Sequence, residues 1–420
     1  MPSMRRAHLT LGILTFVNLL NYLDRYVLSG MLPLVQDHFG RTDAEMGILT
    51  SSFLVVYSIV SPFTGYLGDR IPRKHLVAGG VLLWSAATIY SGLARSFGEL
   101  LVARSLIGIG EAGYAAVAPG LISDLYPQER RGRMMALFYA ALPVGSALGF
   151  TLGGAVGTAL GWQNAFFVAG APGVLVGLVA FLLPEPRRGA TDEAAAPEKG
   201  PGLGEMLVRL VRNPAYVLNS AGYTAATFAM GGLAAWWPTF LYRERGLPLD
   251  RAGYVFGALL VLAGFAGTLA GGFLGDRLHV KNRGGHFLAA GWGLLVAAPF
   301  ALLGILLESP WAYWSAVFVC LFFLMFNTAP LNAALCNVVP ANMRSTAVAV
   351  NVLVIHMLGD AISPFLIGAV SDATGTLGGA LLLAASAIVL GGLILVLSAP
   401  VLRRALTPAD VALPARAEAR

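Results

Sequence analysis

Six ionisable side chains lie within segments of the sequence that are otherwise apolar: Asp24, Arg25, Arg104, Glu111, His356 and Asp360. A charged group is costly to bury in an apolar medium, so each is a candidate for substrate binding or for proton coupling. An arginine fork can bind a phosphate through two parallel hydrogen bonds. A buried carboxylate whose arginine partner moves away takes up a proton. These residue types indicate a site that binds an ionic group and exchanges protons.

The spacing of these residues places three of them at related depths if their segments are membrane-crossing helices. At a rise of about 1.5 Å per residue, Asp24 lies about 22 Å along its helix and Arg104 about 8 Å from the opposite surface. In an apolar layer of about 30 Å the two are level and can pair, either as a switch or as a fixed structural ion pair. Glu111 follows two turns after Arg104 on the same helix face.

Three further features extend the candidate site. His356 and Asp360 are four residues apart and share a helix face, although a purely structural pair explains this spacing equally well. Tyr57 and Tyr114 lie in segments near the charged residues and are candidates for lining a cavity. Aromatic residues at helical spacing also pack in the interior or lie at the membrane surface, so that alternative stays open.

The composition defines the elements that must position these residues. Of 420 residues, 57% are hydrophobic, 12% are charged and 51 are glycine. A soluble domain has about a quarter charged residues, so the composition excludes soluble, disordered and nucleic-acid-binding proteins and indicates an integral membrane protein. The six histidines are scattered, and Cys320 and Cys336 lie in one apolar stretch. We expect no metal site, no disulfide framework and no cofactor.

Twelve apolar segments are long enough to cross a membrane as helices of about 20 residues each. They lie near 9–34, 46–67, 76–94, 99–121, 134–158, 165–183, 215–241, 252–274, 286–307, 311–338, 346–370 and 377–402. The first segment runs too long for a signal peptide and lacks a small-residue cleavage site, so we expect a retained span. The predicted fold class is an all-α membrane protein with twelve transmembrane helices.

The predicted organisation has four parts. Residues 1–183 form a first half of six helices, and residues 214–402 form a second half of six. Residues 184–213 form a polar cytoplasmic linker, in which Gly204–Arg212 can form a short amphipathic helix on the membrane surface. Residues 403–420 form a polar cytoplasmic tail.

Lysine and arginine are distributed unevenly over the predicted loops. If both termini are cytoplasmic, five of the 28 basic residues fall in loops on the opposite side: Arg41, Arg95, Arg243, Arg245 and Arg251. Cytoplasmic loops carry an excess of these residues, so the distribution predicts cytoplasmic termini. We expect a monomer in the cell (inner) membrane, in contact with membrane lipids.

Two motifs recur about half a chain length apart. Gly65-Tyr-Leu-Gly-Asp69-Arg70 recurs as Gly272-Phe-Leu-Gly-Asp276-Arg277. Pro127-x-x-x-Arg131 recurs as Pro340-x-x-x-Arg344. A repeat of two six-helix halves is typical of transporters, whose substrate site lies between the halves near the middle of the membrane. The repeat predicts pseudo-symmetric halves.

The run Gly65-Tyr-Leu-Gly-Asp69-Arg70-Ile-Pro-Arg73-Lys74 resembles the signature of the major facilitator superfamily between its second and third helices. The resemblance implies a major facilitator fold, alternating access and a cytoplasmic gate. It assigns the gate to Gly65, Gly68, Asp69, Arg70, Arg73, Lys74, Arg131, Asp276, Arg277 and Arg344. Ordinary loop charges are the alternative explanation of these residues.

Within that superfamily, the first half is similar to the spinster family of lysolipid and sphingolipid transporters. The matching runs are Asn21-Tyr-Leu-Asp-Arg25, Gly65–Lys74, Arg104-Ser-Leu-Ile-Gly-Ile-Gly-Glu111-Ala and Phe138-Tyr-Ala-Ala-Leu-Pro-Val-Gly-Ser146. The similarity covers roughly residues 18–155, and from residue 215 onward only the superfamily pattern is visible. It implies a transporter of an amphipathic, lipid-like substrate such as a lysophospholipid or sphingolipid. The expectation of proton coupling comes from the charged residues described above.

Other functions remain as alternatives. The nearest is proton-coupled export of drugs or small organic ions. An intramembrane enzyme would need a nucleophile–base pair or a metal cluster, which Asp24, Glu111 and His356 do not form recognisably, so we expect no enzyme. A channel or receptor is disfavoured by the repeat. Gly108-x-Gly110-x-x-Gly113 matches a dinucleotide-binding pattern, but no strand precedes it, so we interpret it as close helix packing.

Overall fold

The computed structural model describes residues 4–68, 70–115, 117–186, 202–340 and 343–406. In these ranges the chain forms helices, turns and short irregular connections, with no strand. The all-α prediction is therefore confirmed for the described part of the chain.

The first half of the chain contains nine helices in the described residues. They are α1 (Met4–Gly30), α2 (Leu32–Phe39), α3 (Asp43–Gly68), α4 (Arg73–Leu93), α5 (Phe97–Ala115), α6 (Ala118–Leu125), α7 (Gln128–Tyr139), α8 (Ala141–Leu160) and α9 (Trp162–Ala180).

The second half begins with a short helix and continues with long ones. They are α10 (Leu203–Val211), α11 (Pro214–Arg245), α12 (Leu249–Lys281), α13 (Gly285–Leu306), α14 (Pro310–Phe326), α15 (Thr328–Asn337), α16 (Arg344–Ile355), a π-helical turn (His356–Asp360), α17 (Ser363–Thr374) and α18 (Leu377–Ala405).

Ten helical stretches among the described residues are long and apolar enough to cross a membrane. They are Asp43–Gly68, Arg73–Leu93, Phe97–Leu125, Arg133–Leu160, Trp162–Ala180, Leu249–Lys281, Gly285–Leu306, Pro310–Asn337, Thr346–Thr374 and Leu377–Ala405. Helices α1 and α11 coincide with the first and seventh predicted segments but are not among the ten. Both contain asparagine and other polar residues that lower their mean hydropathy, so the count of twelve stays a prediction.

Several predicted segments are interrupted helices, and proline explains where the later helix begins. Helices α2, α6 and α17 each begin with proline in the first turn, at Pro33, Pro119 and Pro364. Proline lacks an N–H, which the first turn of a helix leaves unpaired in any case. The chain can therefore change direction within the membrane layer without leaving an extra backbone donor unsatisfied.

The surface of the described residues carries many large apolar side chains. Leu175, Leu269, Phe273 and Leu397 are each about 70% exposed, at 69%, 73%, 72% and 74%. A soluble protein rarely leaves so much apolar area in contact with water, whereas helices in a bilayer present such side chains to lipid. These positions support the membrane setting.

Contacts divide the chain into two compact units. The first contains Met1–Ala196, Phe228–Leu262 and His356–Ala384. Its apolar core includes Leu14, Val17, Val81, Trp84 and Ile107 among other buried residues. Parts of α11, α12 and α17 from the second half of the chain therefore pack in the same unit as α1 to α9. All of the charged site described below lies in this first unit.

The second unit contains Pro197–Thr227, Ala263–Ile355 and Ala385–Arg420. One of its buried clusters joins Leu210 of α10 to Tyr216, Leu335, Val339, Met343 and Ala347. Helix α10 lies where the amphipathic helix was predicted, and Leu210 anchors it to its own unit. Its place on the membrane surface stays a prediction. The four-part division at residues 183, 213 and 402 stays a prediction, and residues 187–201 and 407–420 of the predicted linker and tail lie outside the described residues.

A row of glycines fixes the position of α1. A Cβ atom on Gly145, Gly149 or Gly153 of α8 would collide with backbone carbonyl oxygens of α1, at Leu19, Leu23 and Val27 respectively. The absence of side chains lets the two helix backbones approach closely. One face of α1 is therefore held against α8, and Asp24 and Arg25 can be directed towards α4 and α5.

Candidate functional site

The centre of the site is an ion pair between α1 and α5. Arg25 Nη2 lies 2.9 Å from Glu111 Oε2, and the Glu111 side chain has no solvent exposure. The Arg25 guanidinium also lies over the rings of Tyr22, Phe53 and Tyr57, at 5.0, 4.8 and 5.4 Å from their centroids. The negative ring faces favour a cation at this point. Arg25 is thus held by one carboxylate and three aromatic rings.

Asp24 points in another direction because adjacent residues on a helix are about 100° apart around its axis. Its Oδ2 atom accepts a hydrogen bond from the Thr88 hydroxyl of α4. Arg104 Nη1 lies 3.5 Å from the backbone carbonyl of Asp24 and does not form an ion pair with its carboxylate among the described pairs. The predicted closeness of Asp24 and Arg104 is observed, but the carboxylate–guanidinium pair is formed by Glu111 and Arg25 instead.

Several buried polar atoms of this group have no hydrogen-bond partner in the described protein. They are Asp24 Oδ1, Glu111 Oε1, Arg25 Nε and Arg104 Nε. Leaving such an atom unpaired costs about 1–3 kcal/mol, and more if it belongs to a charged group. The site therefore retains donors and acceptors that water, a proton or an ionic ligand can satisfy.

A small cavity of about 40 Å³ adjoins the charged residues. Its lining residues are Arg25, Tyr26, Ser29, Thr50, Phe53, Leu54, Arg104, Gly231, Ala234, Ala235, Asp360 and Pro364. A water molecule occupies about 30 Å³ in the liquid, so the cavity admits water but not an organic head group. Both arginine side chains reach it, and its walls come from both halves of the sequence.

The π-helical turn brings Asp360 to this cavity and His356 to Tyr57. His356 Nδ1 lies 2.9 Å from Asp360 Oδ1, and the His356 ring lies edge-on to Tyr57 with centroids 6.4 Å apart. Asp360 also packs directly against Gly231 of α11, where a Cβ atom would not fit. Irregular π turns occur often at functional sites because they redirect side chains. His356 and Asp360, predicted from their spacing, are therefore next to the first-half site.

Tyr114 has a different position from Tyr57. Its hydroxyl donates to the Leu14 carbonyl at 2.8 Å, and its ring packs edge-on against Trp84 with centroids 5.7 Å apart. The side chain is 1% exposed and does not line the cavity. In this structure Tyr114 links α5 to α1, whereas Tyr57 faces Arg25.

The predicted gate motif contains a buried arginine network. Arg73 Nη1 lies 2.7 Å from Asp124 Oδ2, and Arg73 Nε lies 3.2 Å from Glu185 Oε1. Arg73 also donates to the Pro186 carbonyl at 3.3 Å, while Glu185 accepts from the Lys74 backbone N–H at 3.1 Å. One side chain therefore connects the start of α4, the end of α6 and the segment after α9.

The other members of the first motif are less connected. A Cβ atom on Gly65 would meet nothing within 4 Å, whereas one on Gly68 would collide with the Val117 side chain. The exposed Arg70 guanidinium lies 3.4 Å from the centre of the Tyr66 ring. Asp69 lies outside the described residues.

The second copy of the motif has different partners. Asp276 Oδ1 lies 3.3 Å from His286 Nε2, and the His286 ring stacks on His279 with centroids 4.2 Å apart. Arg277 is exposed, and Arg344 Nε donates to the Cys336 carbonyl at 3.1 Å. The Arg131 side chain lies outside the described part of the structure. The repeated sequence therefore does not repeat the Arg73 network.

Sequence reasoning missed Thr88, Asp124 and Glu185. A threonine in an apolar helix gives little signal, because it can bond to its own helix backbone. Asp124 and Glu185 also give little signal, because each lies next to a predicted loop, where a solvated carboxylate is common. Their nearness to Pro127 and Pro184 at segment ends was the available signal.

Comparisons with known proteins identify the family. The family model of the Major Facilitator Superfamily matches residues 14–364. Protein spinster homolog 3 of Danio rerio is 37% identical over 387 residues, which cover 88% of this chain and 78% of that protein. The chain belongs to the spinster family of the Major Facilitator Superfamily. Protein spinster homolog 1 of Homo sapiens is 38% identical over 387 residues, which cover 87% of the chain and 73% of that protein.

A solved structure supports the same fold for this spinster-family chain. It is a crystal structure of a bacterial homolog to the human lysosomal transporter Spinster, in an inward-facing and unoccupied conformation. The TM-score is 0.81 at 24% sequence identity, covering 96% of this chain and 98% of that one. The protein is therefore a multi-pass membrane transporter of major facilitator fold with a small-molecule substrate, and it is not an enzyme.

Proposed function

We propose that this spinster-family protein moves a lysophospholipid- or sphingolipid-type substrate across the membrane by alternating access, coupled to protons. The observation that carries the proposal is the buried Arg25–Glu111 pair beside Arg104, because it combines a titratable carboxylate with two guanidinium groups. An amphipathic substrate has an ionic head and an apolar tail. A charged cavity within an apolar helical bundle suits both parts.

The proposed proton step uses Glu111 and Arg25. In the closed pair, Arg25 stabilises the carboxylate of Glu111, which has no contact with solvent. When Arg25 moves to a substrate phosphate, the buried carboxylate loses its counter-charge and binds a proton. Asp24, whose Oδ1 is unpartnered, is a second site for the same exchange. Substrate binding and protonation then favour each other.

The proposed head-group contact uses Arg104 and Arg25. Both guanidinium groups reach the central cavity, and each has a buried Nε without a partner in the described protein. A guanidinium fork can donate two parallel bonds to a phosphate, which a lysine does not reproduce. The cavity must enlarge to admit a head group, so the described state precedes or follows substrate binding. The acyl chain would lie along apolar helix surfaces.

The names of relatives support the substrate class only at the level of the family. They are spinster proteins of vertebrates and of Drosophila melanogaster, and the solved homolog is related to a lysosomal transporter. The lysolipid and sphingolipid substrates follow from the family resemblance. The buried arginines of this chain favour a phosphate head over a cationic one.

The proposal includes a gate and an orientation. Arg73 and the second motif at Asp276 would lie on the cytoplasmic side, because loops predicted there hold most of the lysine and arginine residues. Twelve spans, cytoplasmic termini, location in the cell membrane and a monomeric state belong to the same proposal. The closed Arg73 network would hold α4, α6 and the segment after α9 together while other contacts change.

Counterflow in proteoliposomes tests this function. Purified protein is reconstituted, the vesicles are loaded with unlabelled phosphate-headed lysolipid, and accumulation of labelled lysolipid from outside is followed. We expect saturable counterflow that protein-free vesicles do not show. Transport of cationic dyes, without binding or competition by phosphate-headed lysolipids, would overturn the substrate assignment in favour of drug or organic-ion export.

A further inference from the structure

A second polar network lies at the opposite end of α3 from the gate motif. Its members come from both halves of the sequence, and we refer to Gln36, Asp43, Arg243, Ser371 and Asp372 as the Asp43 cluster. Helix α3 begins at Asp43 and ends at Gly68, so the two ends are about 38 Å apart at 1.5 Å per residue. Neither the central site nor the family motif includes the cluster.

Asp43 is the centre of this cluster. Its Oδ1 atom lies 2.7 Å from Arg243 Nη1 and accepts from Gln36 Nε2 at 2.8 Å. Its Oδ2 atom accepts from the Ser371 hydroxyl at 2.7 Å. Arg243 also donates to the Gln36 side chain. Both carboxylate oxygens of a first-half residue are therefore bonded to second-half side chains.

Asp372 adds bonds from the second half to the backbone of the first. Its two carboxylate oxygens accept from the N–H groups of Asp43 and Ala44, at 2.9 and 2.8 Å. These N–H groups belong to the first turn of α3 and have no partner within that helix. A carboxylate also interacts favourably with the positive end of the helix dipole. Asp372 on α17 thus caps α3, a helix of the other half.

The backbones of α3 and α17 are in direct contact beside the cluster. A Cβ atom on Gly47 would lie 2.6 Å from the Phe365 Cα, and one on Gly368 would lie 2.6 Å from the Asp43 carbonyl carbon. Such distances do not occur for real Cβ atoms, so alanine at either position requires the helices to separate.

The cluster has the properties of a contact that can open. A cavity of about 390 Å³ lies beside Asp43, Arg243, Ser371 and Asp372, and the Asp372 side chain is exposed. Water can replace each hydrogen bond as it breaks, so separation leaves no buried charge without a partner. The hydrogen bonds favour one closed arrangement of the two helix ends. Water can replace these bonds when the helix ends separate.

We propose that Asp43 and Asp372 are positioning residues that hold the non-cytoplasmic end of the transporter closed in one state of its cycle. This inference rests on the proposed alternating access. It adds the residues that set the equilibrium between the closed and open states at the end of the protein opposite the gate motif. Asp372 caps α3 in the closed state and releases it when the end opens. Because Gly47 and Gly368 have no side chains, α3 and α17 can approach closely enough to form the closed state.

A distance measurement between spin labels tests the proposal without any substrate. Labels are attached at Asp37→Cys and Ala373→Cys, two exposed positions next in sequence to Gln36 and Asp372, after Cys320→Ala and Cys336→Ser. In lipid nanodiscs we expect a short distance to dominate in the parent protein. Asp372→Asn and Asp43→Asn should each add a longer-distance population, because each removes charge from the closed arrangement.

Two matched controls separate a closing role from general destabilisation. Glu45→Gln also removes a carboxylate from the first turn of α3, but within the described residues Glu45 bonds to Arg41 and Thr42 of its own half. Gly47→Ala should favour the long distance even with every charge intact, whereas Gly12→Ala, which meets nothing within 4 Å, should not.

The outcomes are distinguishable from those of the transport assay. Longer distances in Asp372→Asn and Gly47→Ala, with parent-like distances in Glu45→Gln and Gly12→Ala, would support the proposal even if lysolipids are not the substrate. Unchanged distances in correctly folded Asp372→Asn and Gly47→Ala would overturn it, whatever is transported. Asp372 is exposed, so its variant should fold even if Asp43→Asn does not.

Discussion

Arg25 and Glu111 form an ion pair of 2.9 Å between α1 and α5, in which the carboxylate is completely shielded from solvent. The aromatic rings of Tyr22, Phe53 and Tyr57 surround the guanidinium, and the Arg25 side chain is 14% exposed. In such apolar surroundings, the interaction energy of an ion pair depends strongly on the position of each partner. In the proposed mechanism, movement of Arg25 changes the proton affinity of Glu111.

We expect Glu111→Gln to remove the pH dependence of lysolipid transport. Glutamine retains the shape and an acceptor for Arg25 but cannot exchange a proton. Transport rates measured in proteoliposomes across a range of external pH should become flat, while the protein elutes as a folded species. Glu99→Gln, on the same helix but at its end, serves as the matched control and should keep the parent profile. A parent-like profile in Glu111→Gln would reject Glu111 as the coupling residue.

We expect Thr88→Val to destabilise the protein through Asp24. The Thr88 hydroxyl is the hydrogen-bond donor to Asp24 Oδ2, while Oδ1 has no partner, so valine leaves a buried carboxylate without side-chain bonds. The cost should be about 1–3 kcal/mol, measured as a lower thermal unfolding midpoint. Asp24→Asn in the Thr88→Val background should recover part of the loss, because the uncompensated charge is gone. Additive losses in the double variant would contradict a direct coupling.

Arg73→Gln should cost more stability than any other single change in the motif. Arg73 and Asp124 have side-chain exposures of only 7% and 10%, and removal of the arginine leaves Asp124 and Glu185 without this partner. Breaking a buried pair costs about 3–5 kcal/mol. The exposed Arg70→Gln is the control and should change stability by less than about 0.5 kcal/mol. Equal unfolding midpoints for the two variants would show that the Arg73 network contributes little.

Arg104→Lys should lower transport of phosphate-headed lysolipids far more than it lowers thermal stability. Lysine keeps the charge but loses the planar fork that meets two phosphate oxygens. Arg95→Lys, at an exposed position before α5, is the matched control and should transport like the parent. Uptake of labelled lysolipid is compared at equal amounts of reconstituted protein. Parent-like uptake by Arg104→Lys would remove Arg104 from the head-group site.

Much of the helical framework was predictable from the sequence, because apolar runs and proline positions act locally. The predicted first segment ran to residue 34, but the chain bends after Gly30 and a new helix begins at Leu32. The related depths of Asp24, Arg104 and Glu111 followed from helix rise alone. Their pairing did not, because adjacent positions such as Asp24 and Arg25 face different helices, and depth does not specify rotation.

The contacts of the Asp43 cluster could not be predicted from a single sequence. Asp43 and Asp372 each lie at a predicted segment end, where polar residues are expected in any membrane protein. Their contact joins residues separated by more than 300 positions, and its specificity comes from the meeting of two helix ends. Gly47 and Gly368 looked like ordinary glycines of apolar helices. Only the approach of α3 to α17 distinguishes them from Gly12.

In the proposed cycle, one carrier couples the movement of substrate to the movement of protons. The most direct measurement follows labelled phosphate-headed lysolipid and internal pH together in the same proteoliposomes. We predict saturable lysolipid movement that is accompanied by proton movement. Both should be lost when the proton gradient is collapsed. The proton signal should also be lost in Glu111→Gln. Lysolipid movement without any proton movement, or no lysolipid movement by folded protein, would contradict the account.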